Sequence, residues 1–259
     1  MVPTDLRLTF DEVPELYDQV RPQYPQEIFD HIFRQFQDPP HVIDVGPGTG
    51  QATNQLLKQA SRVTAVEIGA NLAKHLKTKY SESNKLDVVN SSIEEAELAC
   101  NSFDLFFSAC AYHWIKDQTG MPARFLKSGG LVAIVDLVQV ESETDQGYFK
   151  RVQEIYNHYS QTKPDKRLPT AENLIPEIHK KFEADKRYNN LNLHKICWDQ
   201  TYTASQYADL LRTYSGMITM PETDRENLIT ELTKVVTNEF NDQVTRPLVV
   251  ALTTARLVD

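Results

Sequence analysis

HVIDVGPGTG, residues 41–50, is an apolar run that stops in three alternating glycines, and QATNQLLKQA behind it (51–60) has helical spacing. Together they predict strand, tight turn and helix. Glycine lets the backbone approach a ligand closely, and a helix start offers unpaired N–H groups, so this unit is a nucleotide-binding device. The spacing sorts the ligands. A dehydrogenase fingerprint needs G-x-G-x-x-G/A, whereas Gln51 stands where Gly or Ala would fall, and no Gly-Lys-Ser/Thr follows to make a P-loop.

Downstream, VTAVEI (63–68) predicts a second strand ending in Glu67. That residue lies about twenty positions after the turn, where a carboxylate can accept both hydroxyls of an adenosine ribose. Asn71 is placed to cap the amphipathic segment NLAKHLKTKY (71–80). LDVVN (86–90), FDLFFSA (103–109) and, behind Gly129-Gly130, LVAIVDL (131–137) predict three more strands with helical sequence between them. Strands alternating with helices mean a parallel sheet of right-handed crossovers.

Past residue 139 the alternation stops. A polar and aromatic tract (141–170) reads as an insertion or cap, with helix-like sequence continuing to about 187. LNLHKICWDQTY (191–202) suits an edge strand and TRPLVVALTTARLV (245–258) the last strand. Between them Thr203 with Gln206 and Thr223 with Glu226 both fit the S/T-x-x-E/Q capping box. Leu228, Ile229, Leu232, Val235 and Val236 form an apolar stripe on the second helix. The organisation expected is one domain: a nucleotide-binding core over 1–140, a helical cap or insertion over 141–190, and edge strands with a two-helix cap segment over 191–259.

The 259 residues are 41% hydrophobic and 24% charged, with a net charge of −9. An acidic chain lacks the basic field for non-specific binding of nucleic acid or an anionic membrane. Cys100, Cys110 and Cys197 include no C-x-x-C pair, so no zinc knuckle or disulfide framework is expected, and the cysteines should fill apolar space. The N-terminal twenty residues carry acidic groups and no apolar leader segment. A cytoplasmic protein without bound metal, monomeric or homodimeric, is the expectation.

VIDVGPGTG followed by VTAVEI resembles the first two motifs of class I S-adenosylmethionine-dependent methyltransferases, whose first motif is commonly hydrophobic-D-x-G-x-G-x-G. The likeness extends through SSIEEAEL, SACAYHW and KSGGLVAIVDL, over roughly residues 10–138. YDQVRPQYP (17–25) and the His-Trp after the fourth strand resemble the small-molecule branch that includes trans-aconitate methyltransferase. The resemblance implies an α/β fold, Rossmann-like and doubly wound, with a mostly parallel seven-stranded sheet. Its last strand would be antiparallel, and a helical cap would lie over the carboxyl ends of the strands. It also implies S-adenosyl-L-methionine as cofactor and S-adenosyl-L-homocysteine as product.

The roles carry over by position. Asp44 would organise the turn and the methionine amino group, with Gly46, Pro47, Gly48, Thr49 and Gly50 forming the floor. Glu67 would take the ribose hydroxyls and Ile68 would lie against the adenine. Ser92 and Ile93 would meet the adenine edge, Ser92 standing where Asp is common. Ser108 and Ala109 would flank the sulfonium, and His113 and Trp114 would wall it from the acceptor. Tyr17 and Arg21 would close over the methionine end, the guanidinium pairing with its carboxylate. Trp114, Tyr202 and Arg212 are the candidates for the acceptor pocket, within a pool that includes Tyr156, Tyr159, Trp198 and Tyr214. A carboxylate acceptor is already ionised at neutral pH and leaves His113 a pocket wall; a hydroxyl or amine would make it the candidate base.

No N/D-P-P-Y/F follows the fourth strand and no Pro-Cys supplies a nucleophilic thiol, so amide, adenine and cytosine-C5 targets lose ground to a small acid, alcohol or other metabolite. A non-catalytic S-adenosylmethionine-binding protein and, less favoured, an NAD(P)-dependent oxidoreductase are the alternatives.

Overall fold

The computed structural model describes residues 6–12, 14–142, 144, 146–159 and 168–258. Part of the polar tract read as an insertion, residues 143, 145 and 160–167, lies outside them, as do the first five residues of the acidic N-terminus. Seven strands form one sheet: β1 His41–Val45, β2 Arg62–Glu67, β3 Leu86–Asn90, β4 Phe103–Ala109, β5 Leu126–Gln139, β6 Tyr188–Tyr202 and β7 Val244–Leu257. Their order is β3-β2-β1-β4-β5-β7-β6. β1 pairs in parallel with β2 and β4, β2 with β3, and β4 with β5.

β7 runs against both neighbours. Val258 N–H donates to Arg187 at one end of the β6–β7 pair, and Thr201 meets Thr245 at the other. Beside β5, Val140 N–H reaches the Pro247 carbonyl, while Arg256 reaches that of Gly129. This is the Rossmann-like doubly wound sheet with its antiparallel last strand.

The chain folds as two compact units, one of residues 22–137, 175–196 and 250–259, the other of 1–21, 138–174 and 197–249. In the first, successive strand residues serve opposite faces of the sheet. Ile43, Val45, Val66, Phe106, Val132 and Ile134 join Phe125, Ile178, Phe182 and Tyr188 in one cluster. On the opposite side Phe29, from helix Gln26–Phe33, packs on Phe107 of β4 with ring centroids 6.2 Å apart. The second unit has its own core, where Tyr148, Val152, Tyr207, Leu210 and Leu211 meet the Leu228–Val236 stripe of helix Glu222–Glu239.

The local helix and strand signals resolve in different ways. Thr203 makes its capping box: its hydroxyl accepts from Gln206 N–H, and its own N–H donates to Gln206 Oε1 at 3.0 Å. Thr223 makes none: the helix starts at Glu222 behind Pro221, whose φ is −52°, so Thr223 falls in the first turn and not at the N-cap. Glu226 then pairs with Arg212. Asn71 does not cap either; Gly69 precedes a helix that begins at Ala70 and leaves Asn71 in its first turn. β5 starts at Leu126, with Gly129-Gly130 inside its span and a register shift against β4 between Phe103 and Leu105. The cysteines are not buried fillers: Cys100 and Cys197 are exposed and Cys110 is half-buried.

Candidate functional site

The strand order reverses between β1 and β4, the position where open parallel sheets bind ligands beyond their carboxyl ends. β1 leads there into the glycine turn. Gly46, Gly48 and Gly50 have φ of +70°, +58° and +91°, left-handed values that glycine adopts without steric penalty. A Cβ on Gly46 would lie 2.4 Å from the Ala111 Cβ, so the loop after β4 seals one side of the turn. On the other side Tyr80 donates to the Gly50 carbonyl at 3.1 Å and Lys79 to the Thr49 carbonyl at 3.0 Å. Pro47 is buried, and Thr49, also buried, accepts from Gln51 Nε2 at 2.6 Å. Gln51, which separates the motif from a dehydrogenase fingerprint, thus braces the turn. The helix begins only at Thr53, later than the spacing predicts, because the left-handed glycines and the turn through Ala52 precede it.

Two carboxylates are buried beneath this turn. Asp44 accepts from Thr53 Oγ1 at 2.7 Å. Burial raises its pKa to about 7, the Glu67 charge raising it further and the Thr53 hydrogen bond opposing both. Glu67, 4% exposed, accepts the Gly48 N–H on Oε2 at 3.0 Å and the Gly69 N–H on Oε1 at 2.9 Å. A carboxylate oxygen can accept more than one hydrogen bond. Asn90 holds the strand end by donating to the Glu67 and Ile68 carbonyls at 2.8 and 3.2 Å, leaving Ile68 half-buried beside the carboxylate.

At the end of β4, the buried Ser108 hydroxyl donates to the Val45 carbonyl at 2.7 Å and ties the two central strands together. Ala109 is half-buried, and Cys110 follows with φ +56°, an uncommon conformation for a residue with a Cβ. Tyr112 anchors the next turn, packed edge-on against Phe106 and hydrogen-bonded to the Gln118 carbonyl. His113 and Trp114 are carried on that anchor, their rings 4.7 Å apart. His113 is exposed on one side, and burial of the other lowers its pKa, so the ring is neutral at pH 7. After β3, Ser92 accepts from Glu95 N–H at 3.3 Å, and the Ile93 side chain enters the core cluster. One group escaped the motif reading: Asp136 on β5 is pushed up to about 6 by burial.

The remaining expected residues lie in the second unit. Arg21 donates to the Thr213 hydroxyl at 3.0 Å and carbonyl at 2.7 Å, and its guanidinium stacks on Tyr17 and Tyr214. Arg212 pairs with Asp209 at 3.0 Å and Glu226 at 2.8 Å, so its charge already has two partners. Tyr202 is buried, and its hydroxyl makes no hydrogen bond of regular geometry. The pattern missed Arg246, which donates to Gln139 Oε1 and to the Tyr214 hydroxyl. An arginine opening an apolar strand run was the available signal. Among the described residues there is no metal-ligating cluster, and no helix is long and apolar enough to cross a membrane.

A methyltransferase-domain family model matches residues 43–134, the stretch from β1 through β5 that holds the glycine turn, Glu67 and the β4 loop. The uncharacterized methyltransferase Rv3342 of Mycobacterium tuberculosis is 26% identical over 219 residues, covering 84% of this chain and 81% of its own. A malonyl-[acyl-carrier protein] O-methyltransferase of Acetivibrio thermocellus is 29% identical over 124 residues, 46% of this chain and 43% of its own. In fold, the chain is similar to a Haemonchus contortus phosphoethanolamine N-methyltransferase 2 solved with S-adenosylhomocysteine, with a TM-score of 0.54 and 16% identity over 96% of this chain and 58% of that one. The match marks residues 43–134, the part of the doubly wound sheet that holds the glycine turn, as a methyltransferase domain, with S-adenosylmethionine as its cofactor.

Proposed function

We propose that the chain transfers the methyl group of S-adenosylmethionine to a small-molecule acceptor, with a carboxylic acid the favoured class. The buried Glu67 carboxylate, tied by Gly48 N–H to a turn whose Gly46 has no room for a Cβ, carries the cofactor half of this reading. The residues fit S-adenosylmethionine. Glu67 would accept the ribose hydroxyls, the glycine turn would let the nucleoside lie against backbone, and Asp44, once ionised, would hold the turn and the methionine ammonium. Ile68, Ser92 and Ile93 are the proposed adenine contacts; Ser108 and Ala109 would flank the sulfonium. Tyr17 and Arg21 are the proposed clamp on the methionine carboxylate.

When bound, the cofactor supplies a methyl group already activated on a sulfonium, so the protein's part is positioning and the exclusion of water. An ionised carboxylate attacks without losing a proton, and His113 with Trp114 then serves as a wall. For a hydroxyl or amine acceptor, neutral His113 would be the base. The acidic composition, the absence of the amide- and cytosine-directed motifs, and likeness to a relative named for O-methylation of a malonyl carrier support the small-acid reading.

Radiolabelled methyl transfer from S-adenosylmethionine to panels of small acids, alcohols, amines and RNA tests it. Label entering a small acid, with S-adenosylhomocysteine formed in equal amount, is expected. Label entering only RNA, or binding of S-adenosylhomocysteine without turnover on any panel, would contradict it.

A further inference from the structure

In the second unit, Arg21 and Arg246 form no ion pair with any of the described carboxylates. Arg246 donates through Nε and Nη2 to Gln139 Oε1 at 3.3 and 3.1 Å, and through Nη1 to the Tyr214 hydroxyl at 2.5 Å. Arg21 is held by the Thr213 hydroxyl and carbonyl, with Tyr214 stacked 4.6 Å from its guanidinium carbon. Tyr214 lies also under Arg246, at 5.7 Å. Among the described residues neither arginine has an ion pair, whereas Arg151, Arg212 and Arg225 of the same unit pair with Glu239, Asp209 and Glu226. In a chain of net charge −9, two neighbouring cations left to neutral acceptors are an exception that calls for an anion.

The surroundings define the anion. A guanidinium has five N–H donors; Gln139 and Tyr214 use three, leaving Arg246 one on each terminal nitrogen, and a carboxylate accepts two such donors at once. The Tyr202 hydroxyl, in a residue 6% exposed, makes no hydrogen bond of regular geometry, although the Arg246 guanidinium lies beside it. A buried hydroxyl without a regular hydrogen bond is costly, and a ligand oxygen would satisfy it. Tyr156 and Tyr207 complete the surround, with the Tyr207 hydroxyl turned to Tyr156. Gln139 stands at the carboxyl end of β5, and Arg246 near the start of the antiparallel β7 beside it.

We propose that Arg246 and Tyr202 form the receptor for the carboxylate group of the methyl acceptor, with Gln139 and Tyr214 orienting the guanidinium. Calling the ligand the methyl acceptor rests on the function proposed above; the anion site itself does not. This assigns to Arg246 the charge recognition that the sequence pattern offered to Arg212, whose two carboxylate partners occupy it.

The test is calorimetric titration of the full chain, with and without saturating S-adenosylhomocysteine. The titrants are a panel of mono-, di- and tricarboxylic acids, their matched amides, and inorganic phosphate. At least one acid should bind while its amide does not. Arg246→Gln should weaken that acid about thirtyfold or more, Arg246→Lys by less, and Tyr202→Phe about tenfold. S-adenosylhomocysteine affinity should stay unchanged in all three. Should Arg246→Gln fail to fold, Tyr202→Phe, which removes only that hydroxyl, carries the test. The proposal falls if no acid binds the wild type, if the variants bind the acid as well as it does, or if Arg246→Gln weakens S-adenosylhomocysteine instead. Phosphate binding more tightly than every acid would overturn the carboxylate assignment. Acid binding without any binding of S-adenosylhomocysteine would leave the anion site standing and sink the function proposed for it.

Discussion

The two units build their sites from opposite materials. In the first, the proposed recognition lies in backbone and buried acid: three left-handed glycines, Asp44 and Glu67. In the second it lies in side chains carried on helices and a strand start: Arg21, Arg246 and the hydroxyls of Tyr202, Tyr207 and Tyr214. The acidic, rigid site suits an ammonium and a ribose diol; the basic, tyrosine-rich one suits an anion. A backbone site depends on φ and close approach and therefore leaves a spacing in the sequence, whereas a side-chain site leaves only composition.

The largest effect should come from the backbone side. Gly46→Ala would force a Cβ into Ala111 at 2.4 Å and hold a side chain at φ +70°. The conformation alone costs about 1–2 kcal/mol, and we expect loss of measurable S-adenosylhomocysteine binding with a lowered melting temperature. Adding Ala111→Gly should restore part of both, since it removes the clash and leaves the φ strain. Equal behaviour of the single and double variants would separate Gly46 from the β4 loop.

Glu67→Ala removes a charge-assisted acceptor pair and should weaken S-adenosylmethionine by about 1.5–3 kcal/mol in calorimetry. Some stability should go with it, because Gly48 and Gly69 N–H lose their partner. Unchanged affinity would remove Glu67 from the ribose role.

The buried Asp44 makes the first unit sensitive to pH. Its carboxyl titrates near 7 in the folded chain against an ordinary 3.8. The folded state therefore holds the proton more tightly than the unfolded one. The resulting contribution is most favourable below about pH 4, declines as pH rises toward 7 and then levels, with a slope of at most about 1.4 kcal/mol per pH unit. Asp44→Asn should flatten that decline in urea melts of the ligand-free chain. Cofactor affinity should rise in the wild type between about pH 6 and 8, as Asp44 ionises to meet the ammonium, and stay level in the variant.

The smallest effect belongs to Arg212. Its pairs with Asp209 and Glu226 are partly exposed, so Arg212→Ala should cost about 1 kcal/mol or less in stability and leave acceptor KM unchanged. A large rise in KM would return the anion to Arg212.

The first unit was legible because each of its parts obeys a local rule. The glycine spacing, the acid about twenty residues on and the buried strands all follow from chain periodicity and turn chemistry. Local rules also mark where the pattern failed. Thr223 and Glu226 have capping-box spacing, yet Pro221 sets the helix start and Arg212 takes the glutamate. Of the tyrosine pool, Tyr156, Tyr202 and Tyr214 converge near Arg246, while Tyr159 donates to Glu231 instead. Nothing in the local sequence separates these outcomes, because the convergence is made by tertiary packing among segments far apart in the chain.

The division between the two sites is tested most directly by titrating S-adenosylhomocysteine into wild type, Glu67→Ala and Arg246→Gln under one set of conditions. The first variant should lose at least about tenfold in affinity, and the second should bind as the wild type does. Loss in Arg246→Gln with retention in Glu67→Ala would contradict that division.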